Sequence, residues 1–226
     1  VHWLVDNFPR VLDLTRDHLQ LALLPLLFGL VIALPLGTAV RRTPWLRRIT
    51  VVAAGIAFTI PSLALFVTLP GLLGLDILGT ANVVTALTVY STALLVRVVP
   101  EALDAVPRNV VDASTAMGFT TARRALTVEL PLALPVLIAN VRVVAVTNIS
   151  MVSVGALVGV GGLGELFTEG YQRDYPDQIV AGIIAIVVLA LAIDGALYLA
   201  GRLLTPWERS GRPSRRATLA LSEGPA

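Results

Sequence analysis

Few residues in this chain have the type and spacing to do chemistry, and their surroundings exclude most of what they could do. There is no Cys, so no disulfide, thiolate metal site or Cys nucleophile is available. All seventeen basic residues are Arg. Without Lys the phosphate-gripping pattern G-x-x-x-x-G-K-[ST] cannot be written, so the chain is not a nucleotide hydrolase of that kind. The run Gly159-Val160-Gly161-Gly162-Leu163-Gly164 satisfies G-x-G-x-x-G. A dinucleotide site would need a preceding strand in a soluble βαβ unit and an acid about 20 residues on. Here the run comes after a long apolar stretch and has no such context. His2 and His18 are too few and too exposed for a metal site, and no metal or cofactor is expected. Asn148-Ile149-Ser150 matches a glycosylation triplet but lies inside an apolar stretch.

What remains is polarity placed inside apolar segments. Thr59, Pro61, Ser62, Tyr90, Asn148 and Ser150 are candidates for lining a cavity, with hydrogen bonding between helices as the more common use of such residues. Pro61 removes an amide donor and leaves a carbonyl free. The Tyr90 ring could face a quaternary ammonium ion, although a lone Tyr in a span more often packs. Asp194 is the only acid well inside an apolar stretch. A partner in Arg97 or Arg142, or a place near the interface, accounts for it best.

The elements that must position these residues are set by composition. The chain has 226 residues, 56% hydrophobic and 14% charged, against about 25% charged in soluble domains. Lipid is therefore the expected solvent. A net charge of +2 gives no support to a nucleic-acid partner. A helix needs about 20 apolar residues to cross the hydrocarbon core, and unpaired amides in lipid exclude other backbones. Five segments qualify, at Leu19–Val40, Ile49–Leu73, Ala81–Val99, Leu132–Val158 and Ile179–Leu204. The expected class is an all-α polytopic membrane protein.

Arg placement orients the spans. Arg41, Arg42, Arg47 and Arg48 fill the first connection, Arg97 to Arg142 surround a central loop, and Arg202 to Arg216 crowd the tail. The other side holds only Arg10, Arg16 and Arg173 among many acids. The positive-inside rule then puts the N-terminus outside and the C-terminus in the cytoplasm. Residues 1–18, mixed in charge, read as a short external interfacial helix weakened by Pro9, and the first apolar stretch reads as a retained span rather than a cleaved signal. Residues 205–226 read as a disordered cytoplasmic tail.

The central loop, about 101–131, reads as two short helices meeting at a bend. Asn109 to Met117 has apolar residues at helical spacing, Val110, Ala113 and Met117, and Asp112 suits its early turns. Gly118 breaks it, and Thr120 or Thr121 can cap the second helix. A short helix offered to a partner's groove is a known recognition mode.

Asp112-Ala113-Ser114, then Gly118 after three residues, then Val128-Glu129-Leu130-Pro131 after nine more, resembles the cytoplasmic loop pattern EAA-x₃-G-x₉-I-x-LP of bacterial ABC-importer permeases. Thr59–Leu65, Val128–Arg142 and Val158–Phe167 further resemble the compatible-solute branch, for glycine betaine, choline, carnitine and proline. The resemblance covers Leu19 to Leu204. It implies a type I importer permease fold with no catalytic residues. It assigns ATPase coupling to Asp112, Ala113, Ser114, Met117, Gly118, Leu130 and Pro131, and a tight external turn or gate near the pathway mouth to Gly161, Gly162 and Gly164. It also implies ABC ATPase subunits, a second permease copy or paralogue, an extracytoplasmic substrate-binding protein and the lipid of a bacterial inner membrane. A methionine-type amino-acid importer shares the loop pattern and is the first alternative; an ion-coupled secondary carrier is the second.

Overall fold

A computed structural model describes Trp3 and residues 6–209. His2 and the expected tail from residue 210 onward, with Arg212, Arg215 and Arg216, lie outside the described residues. In chain order the helices are α1 (Phe8–Val40), α2 (Pro44–Thr59), α3 (Ser62–Leu73), α4 (Thr80–Asp104), α5 (Arg108–Ala116), α6 (Thr121–Arg124), α7 (Leu130–Gly155), α8 (Glu165–Gln172) and α9 (Pro176–Leu204). A wide π turn over Ala125–Glu129 joins α6 to α7. Every regular element among the described residues is helical, as lipid requires of a chain this apolar.

Four helical segments are long and apolar enough to cross a membrane: α1, α4, α9 and the continuous Thr121–Val158. The expected single span Ile49–Leu73 is corrected to two helices, α2 and α3, that meet at 103°. Pro61 is the cause. Its ring pushes the preceding residue out of the helical region, and Ile60 is extended at φ −64°, ψ 128°. The count reaches five when this bent pair is taken as one span. The expected separate helix before His18 is also replaced. From Phe8 the chain is already in the first turns of α1, and Pro9 sits where a missing amide hydrogen breaks no helical bond.

α4 occupies the centre, and α1 lies closely along it. A Cβ on Gly29 would stand 2.5 Å from the Ser91 Cβ, and one on Gly37 would stand 2.6 Å from the Val99 Cβ. Fully buried Ala33 lies between them, so a small residue at every fourth position lets the two backbones approach. Phe66 of α3, Leu87 and Tyr90 of α4 and Ile149 of α7 fill the middle of the bundle. α9 packs on α7 and α8 at other glycines: Gly201 on Ile138, and Gly182 on Leu166 and Phe167. Ile186, Ile193 and Leu197 are half-buried against the core, while Val180, Ile183, Val187, Val188 and Leu191 stay exposed, which suits a lipid-facing surface.

Candidate coupling site and pathway

The segment between α4 and α7 is built as its residues suggest. Two residues past the end of α5, Gly118 takes a left-handed φ of +81° with no atom within 4 Å of a would-be Cβ. A side chain there would be strained by the backbone but not crowded. The Thr120 hydroxyl accepts from the Arg123 amide at 3.4 Å and caps α6. Asp112, Ala113 and Met117 are exposed, so the apolar spacing of α5 is presented outward rather than buried. Ser114 is turned in, its hydroxyl donating to the Val111 carbonyl at 2.7 Å. Leu130, with Pro131 beside it at the start of α7, packs on a cluster that includes Val99, Leu103 and Leu137. The seven pattern residues therefore divide: Asp112, Ala113, Met117 and Gly118 are exposed, while Ser114 is buried, Leu130 packs on the core and Pro131 is half-buried beside it.

Behind that segment lies an ionic network that sequence reasoning missed. Glu129, in the π turn, is only 3% exposed. Arg41, just past α1, donates through Nη1 to its Oε2, and Arg124 Nε donates to its Oε1 at 2.8 Å. Arg41 also donates to Asp104 Oδ1 at 2.7 Å and to the Leu103 carbonyl at 2.9 Å, at the end of α4. Arg47 of α2 holds the other Asp104 oxygen at 2.6 Å. Arg124 Nη1 reaches Thr115 Oγ1 of α5 at 2.7 Å. A cavity of about 490 Å³ adjoins the network, lined by Leu34, Thr38, Val111 and Leu126 as well as Arg41 and Glu129.

The expected cavity-lining residues separate into two sets. Tyr90 is fully buried, and its hydroxyl donates to the Ile60 carbonyl at 2.5 Å. It thereby satisfies backbone exposed by the Pro61 break, with Phe58 edge-on to its ring. Asn148 is also fully buried; its amide donates to the Ala22 carbonyl at 3.1 Å and to Ser91 Oγ at 2.9 Å, tying α7 to α1 and α4. Thr59 and Pro61 are exposed, Ser62 is half-buried beside them, and Ser150 lies on an exposed face of α7. Asp194 takes one of its two expected partners. Arg142 grips it with both Nε (2.8 Å) and Nη2 (2.6 Å), joining α7 to α9, and Arg97 is not involved.

The glycine run forms a packed reversal at the opposite end of the bundle. Gly159 turns the chain at φ +82°. Gly161 seats on Ala156, and Gly164 lies against the Ser153 backbone. A Cβ on Gly162, itself at φ +48°, would stand 2.7 Å from the His18 amide nitrogen. This approach overturns the expectation that His18 is exposed. It is fully buried, with Nε2 2.9 Å from the Ile149 carbonyl. Nearby, Arg10 and Gln178 both donate to Glu169 of α8. Burial alone would raise the Glu169 carboxyl, but those two donors win and hold it below its ordinary value. One turn earlier, burial first and the charge of Glu169 second push Glu165 up.

A family model described as "Binding-protein-dependent transport system inner membrane component" matches residues 25–209. The chain belongs to this family. It is a multi-pass inner-membrane transport component. Among its relatives, the Osmoprotectant import permease protein OsmW of Salmonella typhimurium is 35% identical, covering 91% of this chain and 97% of that one. The Choline transport system permease protein OpuBB of Bacillus subtilis is 31% identical over 91% of this chain and 94% of its own. Among solved structures, an inward-facing MetNI methionine ABC transporter has a chain 27% identical with a TM-score of 0.75, covering 84% of this permease and 94% of that chain. The type I importer architecture expected of the sequence is thereby met.

Proposed function

We propose that this permease forms part of the translocation pathway of an ATP-driven importer for a small compatible solute of the glycine betaine, choline, carnitine or proline type. The observation that carries the reading is its likeness, over nine-tenths of its length, to permeases named for osmoprotectant and choline import. The MetNI likeness supports a shared architecture, while the relatives matched by sequence favour an osmoprotectant cargo over methionine. Separate ATPase subunits supply hydrolysis, since the chain has no Lys for a phosphate loop. A second permease copy or paralogue completes the pathway by twofold pairing, and an extracytoplasmic binding protein delivers the solute. The arginine-rich end faces the cytoplasm, with the N-terminus outside.

In this reading Asp112, Ala113, Met117 and Gly118 meet the ATPase, and Ser114, Leu130 and Pro131 hold the loop to the bundle. Thr59, Pro61, Ser62 and Ser150 border the pathway, while Tyr90 and Asn148 fix the helices behind it. Gly161, Gly162 and Gly164 close its outer side by packing rather than by a loose loop. The decisive measurement is uptake of labelled glycine betaine, choline, carnitine and methionine into proteoliposomes holding the full complex and its binding protein. Import of methionine alone would reverse the cargo assignment, and uptake by the permease without an ATPase would overturn the importer reading. Gly118→Val is expected to abolish co-purification of the ATPase with little change in the fold of the permease. Its Cβ would meet no neighbour within the chain, so the loss would report the bend and not a clash.

A further inference from the structure

We infer that Glu129 is the positioning residue through which movement of the α5 loop reaches α1, α2 and α4; this rests on the importer function proposed for the chain. Hydrogen bonds form one connected path of side chains. It runs from Thr115 on α5 through Arg124 to Glu129, and from Glu129 through Arg41 to Asp104 and Leu103 at the end of α4. Arg47 then joins α2 to the same Asp104. Among the described residues, Glu129 is the carboxylate that links the two halves of this path. Both its oxygens are occupied and it is almost wholly buried, so a displacement of Arg124 cannot be absorbed by water.

The backbone at that point is suited to move. Ala125–Glu129 is a π turn, closed by the Leu130 amide on the Ala125 carbonyl. A π turn holds one residue more than an α turn, and such bulges recur at functional sites. The segment therefore has a neighbouring α-helical register available, reached by a shift of one hydrogen-bond partner. The adjoining cavity of about 490 Å³ leaves room for the side chains to move with it. A two-state element that both the loop and the spans bias is the physical requirement for coupling. By contrast, the Arg142–Asp194 pair joins only α7 to α9 and touches nothing in the loop.

The test uses the whole complex in proteoliposomes and reads solute imported per ATP hydrolysed. Glu129→Gln keeps the shape but removes the charge that both arginines share. The expected result is intact co-purification of the ATPase, persistent basal hydrolysis, and import per ATP lowered about tenfold, within the range that coupling residues command. Glu129→Asp should restore part of the ratio. Thr115→Val cuts the path at its exposed end and should lower the ratio about twofold. An assembled Glu129→Gln complex with the wild-type ratio overturns the inference. If that variant does not assemble, Thr115→Val decides alone, and a wild-type ratio there overturns it equally. A wild-type complex that imports nothing under ATP would instead defeat the importer reading, which separates the two failures.

Discussion

At the arginine-rich end, Arg41, Arg47 and Arg124 hold Asp104 and Glu129 through long side chains. At the opposite end, Gly162 and Gly164 bring backbone directly against His18 and Ser153. The first kind of joint has rotatable bonds and several donors, so it can swivel and still stay paired. The second has no side chain to rearrange, so it is either seated or lost. One ion pair, Arg10–Glu169, accompanies the glycines, but it lies beside the contact and does not make it. The two ends of one bundle are thus fastened by opposite means, charged side chains at one and backbone contact at the other.

The sharpest way to break the contrast is Gly162→Leu. Its left-handed φ and the His18 backbone 2.7 Å from a Cβ combine strain with overpacking. A loss of about 3 kcal/mol or more is expected, seen as collapse of the folded yield in detergent. Wild-type yield and melting would show that the outer end is looser than described. Next comes Arg41→Gln, which leaves Glu129 to Arg124 alone and Asp104 to Arg47 alone. Because the remaining arginines can re-aim, the cost should be smaller, about 1–2 kcal/mol, measured as a lowered melting temperature. A collapse as deep as that of Gly162→Leu would mean that the network cannot swivel.

The smallest effect is the pH dependence that α8 contributes. Glu165 is pushed up, so its charged form works against folding at neutral pH and protonation relieves it as pH falls through that raised value. Glu169 is held down, so its contribution is complete above the ordinary carboxylate range and disappears as pH falls through the lowered value. Melting temperature should therefore rise slightly on mild acidification and fall at stronger acid, and Glu165→Gln should remove the rise. A monotonic fall from neutral pH in the parent protein would contradict the assignment.

Much of this was legible because lipid imposes simple rules. Run length located the spans, and the spacing from Asp112 to Pro131 located the loop, since both are local patterns. The break at Ile60–Pro61 was visible as a proline, but its 103° angle and the Tyr90 hydroxyl that caps the Ile60 carbonyl there were not. Contacts between distant segments left no local trace. Arg41 and Glu129 are 88 residues apart, and an acid at the variable position before Leu-Pro carries no signal of its own. Arg97 and Arg142 looked equally able to reach Asp194 until the facing of α7 and α9 chose between them. His18 is buried against Gly162 and Ile149, far along the chain, which its polar sequence neighbours do not reveal.

The close seating of Gly29 and Gly37 on α4 has a mechanical corollary. With Ala33 between them, there is no compliant layer of side chains separating α1 from α4 over two turns. Such a pair behaves as a single girder, transmitting load along its length without bending at the shared seam. Torsion has to be taken up where the chain is already jointed, and the 103° break at Ile60–Pro61 is such a joint. A methyl group added at Gly29 would therefore act less like a local defect than like a shim driven into a hinge-and-beam frame, changing the set of the whole bundle.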